Sequence, residues 1–112
     1  MTNEKWLRWA VAKHFTDRGF YVNMKGVRAG NAVIDEEVVG KNWKLALEIK
    51  SGHDDVIRGL GQLSAALAHG YNSAALVVSL RHAKTFNPTT FTQHNIVVIG
   101  VDSKAQIHQV YP

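Results

Sequence analysis

Three residues of this chain have types and a spacing that suit metal-assisted hydrolysis: Asp35, then Glu48 and Lys50 across the intervening Ile49. Two carboxylates brought together repel, and a divalent cation relieves that repulsion. Magnesium is typically held by one or two carboxylates and keeps several waters for a substrate phosphate. A cation so held polarises a phosphoryl oxygen and lowers the pKa of bound water. A lysine beside it adds fixed positive charge where negative charge grows.

The residues around these three must place them together. Trp43 to Lys50 reads as a strand whose alternation puts Trp43, Leu45, Leu47 and Ile49 on one face and Lys44, Ala46, Glu48 and Lys50 on the other. Glu48 and Lys50 are then next-but-one neighbours, about 6.5 Å apart along the strand. Ala32 to Val39 reads as the preceding strand, with Gly40-Lys41-Asn42 as the turn. If Lys41-Asn42 is a two-residue loop, Gly40 faces Trp43 and Asp35 falls directly across from Glu48. Cβ atoms of such a pair are roughly 4.5–5.5 Å apart.

Two amphipathic segments flank this hairpin. Glu4 to Arg18 predicts a helix through Leu7, Val11 and Phe15, closed by Gly19; with Trp6 and Trp9 it is apolar over a wide arc and is expected to be well buried. Glu4 lies close to two helical turns before Val11, on the core-facing stripe, from which its carboxylate can reach the sheet. Val56, Leu60, Leu63 and Leu67 predict a second helix, capped by Asp54 or Asp55 and stopped by Gly70. Gln62 lies on it and can hold a water or a phosphate oxygen. Phe20 to Val27 predicts a strand. Ala74 to Leu80 and Asn95 to Val101 predict strands buried on both faces, and Ala105 to Tyr111 a short edge strand. Arg81 to His94 is polar and irregular. The expected order is α-β-β-β-α-β-(loop)-β, with a right-handed parallel crossover through the second helix.

The 112 residues fit one domain spanning 1–112, and 46% hydrophobic residues suffice for a core, which excludes a disordered chain. There is no Cys, so disulfide frameworks, thiolate zinc sites and cysteine nucleophiles are excluded. No apolar run approaches the roughly 18 residues of a membrane span, and Met1 to Trp6 has no apolar signal region, so a cytoplasmic location is expected. The net charge of +4 is compatible with a nucleic-acid partner.

Asp35, Glu48 and Lys50 resemble the D-(x)n-E-x-K signature of the PD-(D/E)XK, or restriction-endonuclease-like, nuclease superfamily. Glu4 and Gln62 resemble accessory positions of its archaeal Holliday-junction-resolvase-like and RecB-like branches. Two positions depart from the pattern: Ile34 stands where the family name has Pro, and Ala66 where the RecB-like branch usually has Tyr. The resemblance implies an αβββαβ core, with a mixed central sheet flanked by helices. It also implies Mg2+- or Mn2+-dependent hydrolysis of DNA phosphodiester bonds, with junctions and flaps as candidate structure-selective substrates. Asp35, Glu48 and the Ile49 carbonyl, helped by Glu4, would hold the metal, with Lys50 and Gln62 completing the catalytic set. A homodimer is expected, since a chain this short has little room for its own sequence-reading element, and no organic cofactor is implied.

Plainer readings stand beside these. Glu48 and Lys50 also suit a solvated strand face, Asp35-Glu36-Glu37 a charged edge, and Glu4 a favourable charge at a helix N-terminus. Lys25, Arg28, Arg81 and Lys84, with His53 in the loop after Lys50, are the expected phosphate contacts. A non-catalytic nucleic-acid-binding or assembly module, or an RNase of the same fold, are the alternatives to a deoxyribonuclease.

Overall fold

A computed structural model describes residues 3–51 and 56–111. Helix α1 (Glu4–Thr16) is opened by Asn3, whose side chain accepts from the Trp6 N–H at 2.9 Å. It ends at Asp17, shorter than expected, and Gly19 (φ 88°) takes the left-handed conformation that turns the chain into β1 (Tyr21–Asn23). The order continues β2 (Val27–Ala29), β3 (Ala32–Ile34), β4 (Glu36–Gly40), β5 (Trp43–Ile49), α2 (Val56–Ala68), β6 (Ser73–Ser79), α3 (Leu80–Ala83), α4 (Pro88–Thr92), β7 (Val97–Val101) and β8 (Ile107–Tyr111).

Six strands form one mixed sheet in the order β1-β4-β5-β6-β7-β8, and β2 pairs with β3 in a separate hairpin. The pair β5/β6 is parallel, as the crossover through α2 requires, β6/β7 is parallel through the connection that carries α3 and α4, and the outer pairs are antiparallel. Helix α1 covers one face: Leu7, Ala10 and Val11 pack on Val38, Leu45, Leu47, Ile49, Ala75 and Val77. Helix α2 covers the other: Leu60, Leu63 and Ala66 pack on Ala46, Ala74, Leu76 and Val78. The chain is thus a mixed α/β sandwich around one central sheet. Among the described residues no helix is long and apolar enough to cross a membrane.

Four expectations are corrected. The strand expected over Phe20 to Val27 is only Tyr21–Asn23, and Val27 opens the separate hairpin. The strand expected over Ala32 to Val39 is broken at Asp35 into β3 and β4. This break inverts the faces. Ile34 belongs to the α2 side and Val38 to the α1 side, although a continuous strand would put both on one face. The segment Arg81 to His94 is not wholly irregular: Ser79 and Asn87 each accept a backbone N–H and start the short helices α3 and α4. Finally, α1 buries one stripe rather than a wide arc, leaving Trp9 half exposed. The cap residues Asp54 and Asp55 lie outside the described residues.

Candidate functional site

The β4–β5 hairpin has the expected register, with Gly40 opposite Trp43 and Glu36 opposite Leu47, and the two-residue turn takes Asn42 at φ 58°. One step beyond the ladder, Asp35 and Glu48 are laced crosswise. The Asp35 N–H donates to Glu48 Oε1 at 2.8 Å, and the Ile49 N–H donates to Asp35 Oδ2 at 2.9 Å. Each carboxylate therefore has one oxygen fixed to its partner strand's backbone. The other oxygen of each faces a cation: Asp35 Oδ1 lies 3.7 Å from Arg8 Nη1, and Glu48 Oε2 lies 3.8 Å from Lys50 Nζ. Both separations exceed a hydrogen bond.

Glu48 is 1% exposed, which dismisses the solvated-face reading for it. Burial, and then the charge of Asp35, push its carboxyl up to about 7; the Asp35 N–H, the Lys50 charge and finally Glu4 adjust that balance. The stem of Lys50 crosses α2 at Gly59, where an added Cβ would come within 3.4 Å of Lys50 Cε. A small residue there leaves the ammonium room to reach the carboxylate.

Sequence reasoning missed two residues beside this pair. Arg8, one turn after Glu4 on α1, bonds the Met24 carbonyl and reaches Asp35 and, at 3.8 Å, Glu36. Glu36 is 0% exposed, on the α1 face beside Leu47, and neither of its oxygens has a hydrogen-bond partner among the described residues. Burial pushes its carboxyl up to about 7 against the pull of Arg8. The clue to Arg8 was its place one turn beyond Glu4. The clue to Glu36 was its spacing of two from Val38, obscured by the acidic run.

The other expected residues lie nearby or apart. Glu4 is exposed in the first turn of α1. Gln62 donates from Nε2 to the Val33 carbonyl at 2.7 Å, pinning the hairpin to α2, while its Oε1 is buried without a partner among the described residues. Lys25, Arg28, Arg81 and Lys84 are exposed. The first two belong to the segment leading into Asp35, and the last two follow β6, whose carboxyl end lies beside that of β5. Lys25, which follows β1, and Arg81 and Lys84 thus stand at the sheet end that carries Lys50, while Arg28 lies on the separate hairpin opposite Val33. His53 lies outside the described residues.

Among the described residues, no three His, Asp or Glu side chains gather into a metal-holding cluster. The donor set on offer is a pair, Asp35 Oδ1 and Glu48 Oε2, all oxygen and partly desolvated. That suits a hard cation completing its shell with water and phosphate.

No family model matches this chain, nor does any curated protein. Among solved structures it is similar to SPO1766, a protein of unknown function from Silicibacter pomeroyi. The TM-score is 0.72 at 17% identity, covering 100% of this chain and 73% of that one. AF1548, also a protein of unknown function, matches with a TM-score of 0.54 at 16% identity, over 69% of this chain and 47% of its own length. At such identities the likeness is one of fold alone: a mixed α/β sheet flanked by helices.

Proposed function

We propose that the chain is a metal-dependent endonuclease that hydrolyses DNA phosphodiester bonds, built on a restriction-endonuclease-like αβββαβ core. The observation that carries this reading is the crosswise lacing of Asp35 and Glu48 with Lys50 alongside. Lacing fixes one oxygen of each carboxylate and leaves the other without a hydrogen bond among the described residues, so the pair is preorganised for a ligand. Mg2+ or Mn2+ held there supplies Lewis-acid polarisation and an acidified water. The chain's own part is to hold those oxygens still, keep the pair in a partly dry pocket, and present the Lys50 ammonium to the phosphate. The Ile49 carbonyl and Glu4 are the further oxygens available for a metal shell. Exposed cations at the same sheet end suit a polyanionic substrate.

One observation favours a second reading, a nucleic-acid-binding or assembly module without catalysis. The Arg8 guanidinium stands 3.7 Å from Asp35 Oδ1 and itself offsets the paired carboxylates. The deciding experiment offers labelled single-stranded, duplex, flapped and four-way-junction DNA, and RNA, with Mg2+, Mn2+ or EDTA, beside the Glu48→Gln protein. Metal-dependent cutting lost in the variant is expected. The preferred substrate separates DNase from RNase and identifies any junction or flap preference, while sedimentation of the same samples reads the proposed homodimer. Salt-sensitive binding without cutting in any metal would move the chain to the second reading.

A further inference from the structure

We infer that the groove between the β2–β3 hairpin and α2 seats one nucleic-acid strand by its phosphates, leading that strand to the Asp35–Glu48–Lys50 site. The identity of the ligand rests on the nuclease reading. The groove has a volume of about 640 Å³ and is lined chiefly by Asn31, Val33, Arg58, Gln62, Ala65 and His69.

Its position is the first argument. Val33 stands two residues before Asp35, and α2, which carries Gln62, also carries Gly59 against the Lys50 stem. Helix α2 therefore borders both the groove and the Lys50 stem. Its length is the second. Arg58, Gln62, Ala65 and His69 follow at helical spacings of four, three and four, so they share a face of α2 and its end. At about 1.5 Å per residue the stripe runs roughly 16 Å, the axial length of about five phosphates at 3.4 Å each on one strand.

Charge is the third argument. Among the described residues no carboxylate lines the groove. Arg58 marks one end of the stripe, and Arg28, outside the lining itself, pairs directly with Val33 across the hairpin, so the two share the exposed face of that ribbon. Both arginines are exposed, and neither has an ion-pair partner among the described residues. The walls are also fixed in advance. Gln62 ties α2 to the Val33 carbonyl, and Gly30 (φ 63°) sits so close to His69 that an added Cβ would lie 2.6 Å from its Cε1. A preset channel with Arg58 in its lining, and with no carboxylate lining it among the described residues, fits a phosphate backbone.

The test is binding of a short labelled DNA strand, and of its duplex, by fluorescence anisotropy in EDTA over a series of salt concentrations. The proteins are the wild type, Arg28→Glu/Arg58→Glu, Gly61→Glu, and Lys41→Glu as a control at the turn of the β4–β5 hairpin. At Gly61 an added Cβ meets nothing within 4 Å, so that variant fills the groove without disturbing the fold. The double variant is expected to bind about tenfold or more weakly, with the slope of log K against log salt reduced by about two. Gly61→Glu should weaken binding as well, and Lys41→Glu should not. Wild-type affinity and slope in both groove variants would overturn the inference even if metal-dependent cutting had been demonstrated. Weakened binding with no cutting in any metal would sustain the groove while the nuclease reading fell. A change of sedimentation in the groove variants, with DNA affinity intact, would assign the groove to a second copy of the chain and overturn the inference too.

Discussion

Glu36 and Glu48 invite comparison because they share so much. Both are essentially fully buried, at 0% and 1% exposed, both stand at the same end of the sheet, and both have carboxyls pushed up to about 7 with burial as the largest cause. They differ in company. Glu48 lies on the α2 face, accepts the Asp35 N–H, and has the like charge of Asp35 as the next cause of its shift. Glu36 lies on the α1 face with no hydrogen bond among the described residues, and the next influence on it is the opposite charge of Arg8. Burial alone therefore does not mark a working carboxylate. Under the proposed function, what sets Glu48 apart is a backbone hydrogen bond that orients it, a second acid laced crosswise to it, and Lys50 alongside. Glu36 also has Asp35 nearby, but nothing among the described residues orients its oxygens by a hydrogen bond, and its nearest cation is Arg8 at 3.8 Å.

The sharpest way to break this comparison is by activity. Glu48→Gln should lower the cleavage rate by on the order of a thousandfold, the scale of several kcal/mol of lost metal assistance, while Glu36→Gln should stay within a few-fold of wild type. Equal losses in initial-rate assays would erase the distinction. Next in size, Lys50→Ala should cost roughly a hundred- to a thousandfold in rate, the scale for removing one preorganised charge. It should leave the metal-induced rise in melting temperature in place, because the carboxylate oxygens remain.

Stability against pH sharpens the comparison. Both carboxyls hold their proton more tightly in the folded chain than in the unfolded one, where the ordinary value is 4.5. The stability this gives is full below about 4.5, falls as pH rises, and is gone above about 7. Each group accounts for a decline on the order of 3 kcal/mol across that window. Denaturant titrations should show a shallower decline in both Glu36→Gln and Glu48→Gln. Added Mg2+ should flatten the share of Glu48 alone, since a cation favours its ionised form. If Mg2+ left the wild-type profile unchanged, Glu48 would be no more a ligand than Glu36. The smallest effect is expected from Arg8→Ala, a loss of about 1–3 kcal/mol that is greater at pH 8 than at pH 5, because Glu36 is then ionised beside an empty place.

Much of the pair was legible before any fold was known. A two-residue turn at Lys41-Asn42 sets a hairpin register, and that register brought Asp35 opposite Glu48. Alternation along Trp43–Ile49 correctly separated Leu45, Leu47 and Ile49 from Ala46 and Glu48. The same alternation failed through Asp35, where the chain bends and Ile34 and Val38 end on opposite faces. Glu36 was hidden for that reason: its burial depends on the break and on α1 lying over it. The half-exposed Trp9 was misjudged because an apolar helix face does not say how much sheet there is to cover it.

By itself, then, the sequence determined what adjacent residues control: helical and strand periods, the turn chemistry at Lys41-Asn42, the oxygen-rich donor types, and the parallel crossover that a strand-helix-strand order demands. Tertiary structure alone decided which carboxylates lost water, that Arg8 from a distant helix stands beside Asp35, and that a hairpin pinned by Gln62 leaves a groove along α2. The reason is physical. Period and turn geometry are set by backbone sterics over a few residues. Desolvation and charge pairing depend on which segments, far apart in the chain, come to cover one another.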